Sequence, residues 1–298
     1  MPSATPRKKK TFKAKNNSVE VPESDAPDSV PNQISLPTKK NIPSDNLWDY
    51  SLIIYGERKI GKTTLAEQVP DNLMVEFEPG GRALDAFVVE VESYLHFEGI
   101  VELFCEQKHK FKSSTIDTGG VAYEMAMDYG CLVHEIEHPG AENDYGASWA
   151  KIRKMFTSPM RRLLNSGHGF IVIGHEQEKE IETRSGRKFI KMRPNFPKQA
   201  DEFFTSQIDN VFYYYYENGE RWLQIEGDEY VTAGHRIKNH FFTPKGERIH
   251  RIPMGKSEVE AYKNLMLAFD NKQKDPFSPS NVTETSKATS TAKKFKKS

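Results

Sequence analysis

Apolar and polar positions switch between two periods along the middle of this chain. Residues 50–55, Tyr-Ser-Leu-Ile-Ile-Tyr, form a short apolar run of the kind buried on both faces of a sheet. Residues 63–68 open a helix that Pro70 stops. Leu73-Met74-Val75-Glu76-Phe77 predicts the next strand, ending at Glu78-Pro79-Gly80-Gly81, and a helical stretch follows over 97–107. Residues 111–118 read as a strand leading into Gly119-Gly120 and a helix over 121–137, which Pro139-Gly140 breaks. Over 147–165, Trp149, Ile152, Met155, Phe156, Leu163 and Leu164 recur near helical spacing. Phe170-Ile171-Val172-Ile173 is the clearest buried strand. Beyond it the signals change to hairpins, with Arg184-Ser185-Gly186-Arg187 and Glu217-Asn218-Gly219-Glu220 each lying between extended runs. Strands alternating with helices predict an α/β fold, a mostly parallel sheet flanked by helices, with β-hairpins toward the C-terminus. The run Phe212-Tyr213-Tyr214-Tyr215-Tyr216 admits two readings: a base-stacking platform, or a strand with rings on both faces.

Composition divides the 298 residues into a body and two tails. Residues 1–46 hold the basic run Arg7-Lys8-Lys9-Lys10, scattered prolines and little apolar periodicity, and residues 271–298 are rich in Ser, Thr and Lys. Both read as disordered tails around a folded body over 47–270. Formal charge cancels over the whole chain but not locally. The first 46 residues carry 8 basic and 5 acidic groups and the last 28 carry 7 and 2, so of 42 and 42 the middle retains 27 and 35, a net of −8. Basic tails on an acidic body point to contact with nucleic acid, docking on the chain's own surface, or solubility alone. Two cysteines, Cys105 and Cys131, build no disulfide framework, and no apolar stretch reaches the roughly 18 residues of a membrane span. The charged N-terminus is followed by no apolar core of a secretory signal, so a reducing cytoplasm is the expected compartment.

The sharpest chemical signal is Gly56-Glu57-Arg58-Lys59-Ile60-Gly61-Lys62-Thr63, followed by Thr64, a P-loop in its strand–loop–helix setting. Its glycines let backbone N–H groups close around phosphates at a helix N-terminus. Lys62 is expected to reach the β- and γ-phosphates of ATP, and the Thr63 hydroxyl to ligate Mg²⁺. Asp117 ends the strand Ser113-Ser114-Thr115-Ile116-Asp117 and is placed to hold Mg²⁺ through water, although three polar residues stand where an apolar run is usual. Glu78 closes the strand after the P-loop helix and is the expected base for the attacking water; Glu76 points the same way from deeper in that strand. His175 follows the 170–173 strand through Gly174 and is expected to hydrogen-bond the γ-phosphate or the water. His134-Glu135-Ile136-Glu137-His138 matches the letters of zinc proteases. Pro139-Gly140 ends that helix and no compact third ligand follows, so two solvated histidines at a helix end are the better account.

Segments 56–64, 75–81, 115–118 and 170–176 follow one another in the order seen in RecA-like ATPases. With Tyr145-Gly146-Ala147-Ser148-Trp149 before Ile173-Gly174-His175-Glu176, the chain resembles the phage-encoded AAA-type ATPases, a group that includes single-strand-annealing recombinases. The resemblance spans about residues 48–240. It implies a RecA-like P-loop NTPase core over the body, a homo-oligomer with nucleotide between subunits, and an arginine late in the core, Arg236, that reaches the neighbour's phosphate. It further implies that ATP and Mg²⁺ drive action on single-stranded DNA in recombination or replication, by annealing or strand exchange. A single-strand-binding protein would be a further partner, and the host cytoplasm the compartment. The basic hairpin around Phe189, with Arg184, Arg187, Lys188 and Lys191, is the segment expected to meet DNA phosphates. Two other functions fit the same P-loop: a nucleotide-gated assembly or replication partner with slow turnover, and a small-molecule kinase.

Overall fold

Strand β1 (Ser51–Gly56) is buried at every position. It pairs in parallel with a strand on each side and carries apolar layers on both faces, which is why its run is continuously apolar. The computed structural model describes residues 36–141 and 143–274. The disorder expected of the tails falls largely outside these residues; 36–43 contain no helix or strand, and every described element follows Ser44.

After β1 come α1 (Lys62–Glu67), β2 (Asn72–Glu76), β3 (Phe87–Glu90), α2 (Tyr94–Glu106), β4 (Ser113–Asp117), α3 (Gly119–Val133), α4 (Ala147–Leu164), β5 (Gly169–Glu182), β6 (Lys188–Pro194), α5 (Lys198–Gln207), β7 (Asn210–Glu217), β8 (Glu220–Gln224), β9 (Arg251–Pro253) and α6 (Glu258–Phe269). Among the described residues the sheet has nine strands in the order β3-β2-β4-β5-β1-β7-β8-β9, with β6 paired to β5 off this path. All pairings from β3 to β7 are parallel, while β6 and β8 join as antiparallel hairpin strands and β9 pairs antiparallel with β8 after a long connection. This is the α/β architecture the alternating pattern predicts.

Side-chain alternation divides the core between the two faces. Ile53 and Tyr55 of β1 pack with Phe97, Tyr123, Phe156 and Phe204 from the layer of α2, α3, α4 and α5. Leu52 and Ile54 meet Leu65 of α1 with Leu265 and Phe269 of α6. Each such side chain taken from water contributes about 1.5–3 kcal/mol. The aromatic run is a strand with rings on both faces: Phe212 and Tyr214 are fully buried on the α1 and α6 side, and Tyr213 and Tyr215 stack at 5.0 Å on the other.

Some elements lie outside the sequence pattern. β3 is an edge strand with no inside–outside alternation, and β9 has three residues. The helix expected to reach 137 stops at Val133. Glu135 takes a left-handed φ of 52°, and the Ile136 and Glu135 N–H groups return to the Cys131 and Leu132 carbonyls at 3.0 and 3.3 Å. The zinc-protease letters therefore straddle a helix end, with His134 as its cap and His138 Nδ1 accepting from Gly140 N–H at 3.0 Å. Among the described residues no group of three or more His, Cys, Asp or Glu is placed to hold a metal ion. No described helix is long and apolar enough to cross a membrane.

The polar start of β4 is explained by Asn72 on β2. Buried at 4% exposure, its Nδ2 donates to the Ala66 carbonyl of α1 (3.1 Å) and to Thr115 Oγ1 (2.9 Å), and its Oδ1 accepts from Ser113 Oγ (3.0 Å). Buried polar groups persist where such bonds are made within the protein. Removing the amide strands the two hydroxyls. Asn72→Ala is therefore expected to lower the unfolding free energy by about 2–4 kcal/mol, and adding Ser113→Ala with Thr115→Val to recover part of it. Urea unfolding measures both; an Asn72→Ala protein as stable as its parent contradicts the account.

Candidate nucleotide-binding site

The parallel strands deliver their C-terminal ends to one edge of the sheet, where ligands of open α/β sheets bind. Gly56 of β1 lies opposite His175 of β5, Asp117 of β4 opposite Ile173 of β5, and Glu76 of β2 opposite Asp117. Because β5 runs between β1 and β4, His175 stands between the P-loop strand and the Asp117 strand.

Close contact shapes the loop. A Cβ on Gly56 would stand 1.8 Å from the Tyr214 carbonyl oxygen of β7, so only glycine fits. Gly61 caps α1 with a φ of 110°, which favours glycine again. Glu57, Arg58 and Lys59 are exposed, Ile60 is buried, and Thr64 Oγ1 donates to the Gly61 carbonyl at 3.1 Å. Lys62 is 5% exposed, and its Nζ donates to the Gly56 and Glu57 carbonyls at 2.9 and 2.7 Å. Burial lowers its pKa to about 8, against the opposing pull of Asp117.

Thr63 Oγ1 donates to Asp117 Oδ2 at 2.6 Å. Burial pushes the Asp117 carboxyl up, and the Thr63 hydrogen bond opposes this. Glu78 Oε1 accepts from Thr118 Oγ1 at 2.8 Å and lies 3.6 Å from His175 Nε2. Burial, then the Lys62 charge, lowers the His175 pKa, with Glu78 opposing, so the imidazole is neutral at pH 7. Lys62, Thr63, Glu78, Asp117 and His175 line one pocket of about 370 Å³.

Arg236 does not join them. Its Nη1 donates to Asp209 Oδ1 at 3.2 Å, and Asp209 Oδ2 accepts from Ser51 Oγ at 3.2 Å, at the end of β1 away from Gly56. The pairing of Gly234 with Val211 at the start of β7 holds that segment at the opposite edge. The basic hairpin forms between β5 and β6, but its cations have partners. Lys188 Nζ is 2.9 Å from Glu180, Arg187 Nη1 is 3.0 Å from Glu229, and Lys191 Nζ donates to the Asp228 carbonyl at 3.1 Å. Arg184 is exposed at the turn.

Other residues reach the pocket without a sequence motif to mark them. Arg221 and Tyr216 line it from β8 and β7; Glu76, read from the sequence as the deeper companion of Glu78, also lines it at 3% exposure, its carboxyl pushed up by burial with a Gly81 backbone hydrogen bond opposing. The one signal for Arg221 is the Asn218-Gly219 turn, which pairs it with Tyr216. The donor set fits a nucleoside triphosphate with Mg²⁺. A glycine loop and a lysine can meet the phosphates, a hydroxyl and a carboxylate supply the hard oxygen ligands Mg²⁺ takes, and the enclosed Arg221 Nη2 lacks an acceptor among the described residues.

A mostly parallel sheet with this loop at the C-terminal edge of a central strand defines a P-loop NTPase. The chain belongs to the AAA domain family, whose model matches residues 49–237. Members of this family are AAA-type P-loop ATPases that generally bind ATP with Mg²⁺. No curated protein matches the chain.

The Lys62 ammonium is the form that attracts phosphate. With a pKa of about 8 in the folded protein, it is charged below that pH and loses its proton above it. Affinity for a fluorescent ATP analogue with Mg²⁺ should thus fall by up to about tenfold between pH 7 and pH 9. Lys62→Arg, charged at both, should lack this dependence. A flat profile in the parent would remove Lys62 from the binding step.

Proposed function

We propose that this chain is a Mg²⁺-dependent ATP hydrolase in which Glu78 activates the attacking water, and that its cycle acts on single-stranded DNA by annealing or strand exchange. Hydrolysis is carried by two devices at one sheet edge, the Thr63–Asp117 contact of 2.6 Å and a Glu78 carboxylate held by Thr118 at 2.8 Å. Thr63 and Asp117 would hold Mg²⁺, which when bound neutralises charge on the phosphate oxygens. The chain's own groups do the rest. Loop N–H groups and Lys62 bind and orient the phosphates. Glu78 takes a proton from water as the water oxygen bonds to the γ-phosphorus and the bond to the bridging oxygen breaks, leaving ADP and phosphate. His175, neutral, hydrogen-bonds the water or the γ-phosphate.

Continuity of β5 supports DNA as the object of the cycle. The strand that carries His175 at the pocket runs unbroken to Glu182, beside the turn that bears Arg184 and Arg187. The ion pairs at Lys188 and Arg187 favour a second reading, a nucleotide-gated assembly element whose partner is a protein.

Glu78→Gln keeps the shape and loses the basicity. It should bind ATP like the parent and hydrolyse it about 10²–10⁴-fold more slowly; loss of binding together with turnover assigns Glu78 a structural role instead. Replacing Arg184, Arg187, Lys188 and Lys191 with alanine should weaken single-stranded DNA binding and flatten its log–log salt dependence by about two to three units. If the parent binds no oligonucleotide at low salt with ATP present, the assembly reading stands.

A further inference from the structure

The geometry points to Arg221, backed by Tyr214, as a phosphate-contacting arginine that the chain supplies to its own P-loop, completing the nucleotide site within one protomer. The inference rests on the nucleotide reading above and adds a second cation for the same polyphosphate.

Antiparallel pairing of β8 on β7 sets Arg221 opposite Tyr216, two residues along the strand from Tyr214 and on the same face. The guanidinium is held from behind: Nε donates to the Gly255 carbonyl at 2.9 Å, and the Arg221 carbonyl accepts from Met254 N–H at 2.8 Å. Held in this way, Nη1 comes within 3.2 Å of where a Cβ on Gly61 would stand, and the Tyr214 hydroxyl within 3.8 Å of the same point. Arg221 Nη2 and the Tyr214 oxygen are enclosed and have no hydrogen-bond partner among the described residues. Tyr214 is fully buried, and burial pushes its pKa up to about 12 although the Arg221 charge opposes this, so the phenol keeps its proton. A guanidinium is charged at any pH the protein meets.

Arg221 lines the pocket with Nη1 beside the second glycine of the P-loop, and a guanidinium fork there, with the Tyr214 hydroxyl behind it, matches an anion with several acceptor oxygens. Lys62, whose ammonium is anchored on the Gly56 and Glu57 carbonyls, reaches the phosphates from the loop, and Arg221 approaches from β8 beside Gly61. Arg236 stands at the other edge of the sheet and does not contact this position within its own chain.

The test uses the full chain with Mg²⁺ and a fluorescent ATP analogue, reading affinity beside hydrolysis. Arg221→Ala is expected to weaken binding by at least about tenfold and to slow hydrolysis about 10²–10³-fold. Arg221→Lys should recover binding only in part, because an ammonium lacks the two-pronged fork. Tyr214→Phe should weaken binding about threefold to tenfold without lowering the thermal unfolding midpoint, a combination that a packing role does not produce. Mixing Arg221→Ala with Lys62→Ala protein should give no more hydrolysis than the two measured apart. Recovered activity in the mixture places the arginine in a neighbour's site and overturns the assignment. Parent-like binding by Arg221→Lys and Tyr214→Phe overturns it as well, even where Arg221→Ala fails to fold. A parent that binds no nucleotide overturns the P-loop reading and this inference together, whereas normal parent binding with unaltered variants removes this inference alone.

Discussion

The pocket depends on the seating of β5 between β1 and β4. The strand hydrogen-bonds to both neighbours over its first half, so the P-loop strand and the Asp117 strand stand two strand spacings apart, about 9–10 Å. A gap of that width admits a phosphate and a hydrated ion. Two groups span it: Thr63 reaches Asp117 from the start of α1, and His175 fills the middle from β5 itself. Had β4 paired directly with β1, the same residues would be crowded together with no room for a substrate among them. Past His175 the strand leaves the parallel sheet and pairs only with β6, so the element that forms the pocket's centre also forms its most extended arm.

Burial governs the electrostatics of that gap. It lowers Lys62 and raises both Asp117 and Glu76, and in each case desolvation outweighs the neighbouring charges. At Glu76 burial is reinforced by its acidic strand neighbour Asp117, with a Gly81 backbone hydrogen bond opposing. The folded chain thus holds ionisable groups whose charged forms are poorly solvated. Such fixed, water-excluded groups act on a developing charge more strongly than they would in water, because they need no reorganisation when it appears.

Much of this was legible in the residues. The P-loop, Glu78, Asp117 and His175 could be read because each follows a strand-like run closed by Gly, Pro or Thr, although β2 stops at Glu76, two residues before Glu78, and β5 runs on past His175 to Glu182. Those residues do meet in one pocket. Arg221 was not legible, since its approach to Gly61 depends on how β8 pairs with β7, a long-range fact with no local period. The resemblance assigns Arg236 to a neighbour's phosphate, and within its own chain it stands at the opposite edge of the sheet, set by the Val211–Gly234 pairing. The helix end at Val133 was overrun because Glu135 adopts a left-handed backbone usually left to glycine. The start of α6 did have a readable sign, Ser257 three residues before Glu260, whose N–H the serine oxygen accepts at 3.2 Å.

The polar residues of β4 make that strand look least like an ideal metal-acid strand, yet they also protect against misalignment. An all-apolar β4 could slide by two residues against β2 and still bury the same kind of surface. Such a slip would carry Asp117 about 7 Å along the sheet, out of reach of Thr63. With Asn72 in place the slide is penalised, because its bonds to Ser113, Thr115 and Ala66 close together in a single alignment. A buried asparagine far from the phosphates thereby acts as a positional key for the aspartate at the other end of the strand.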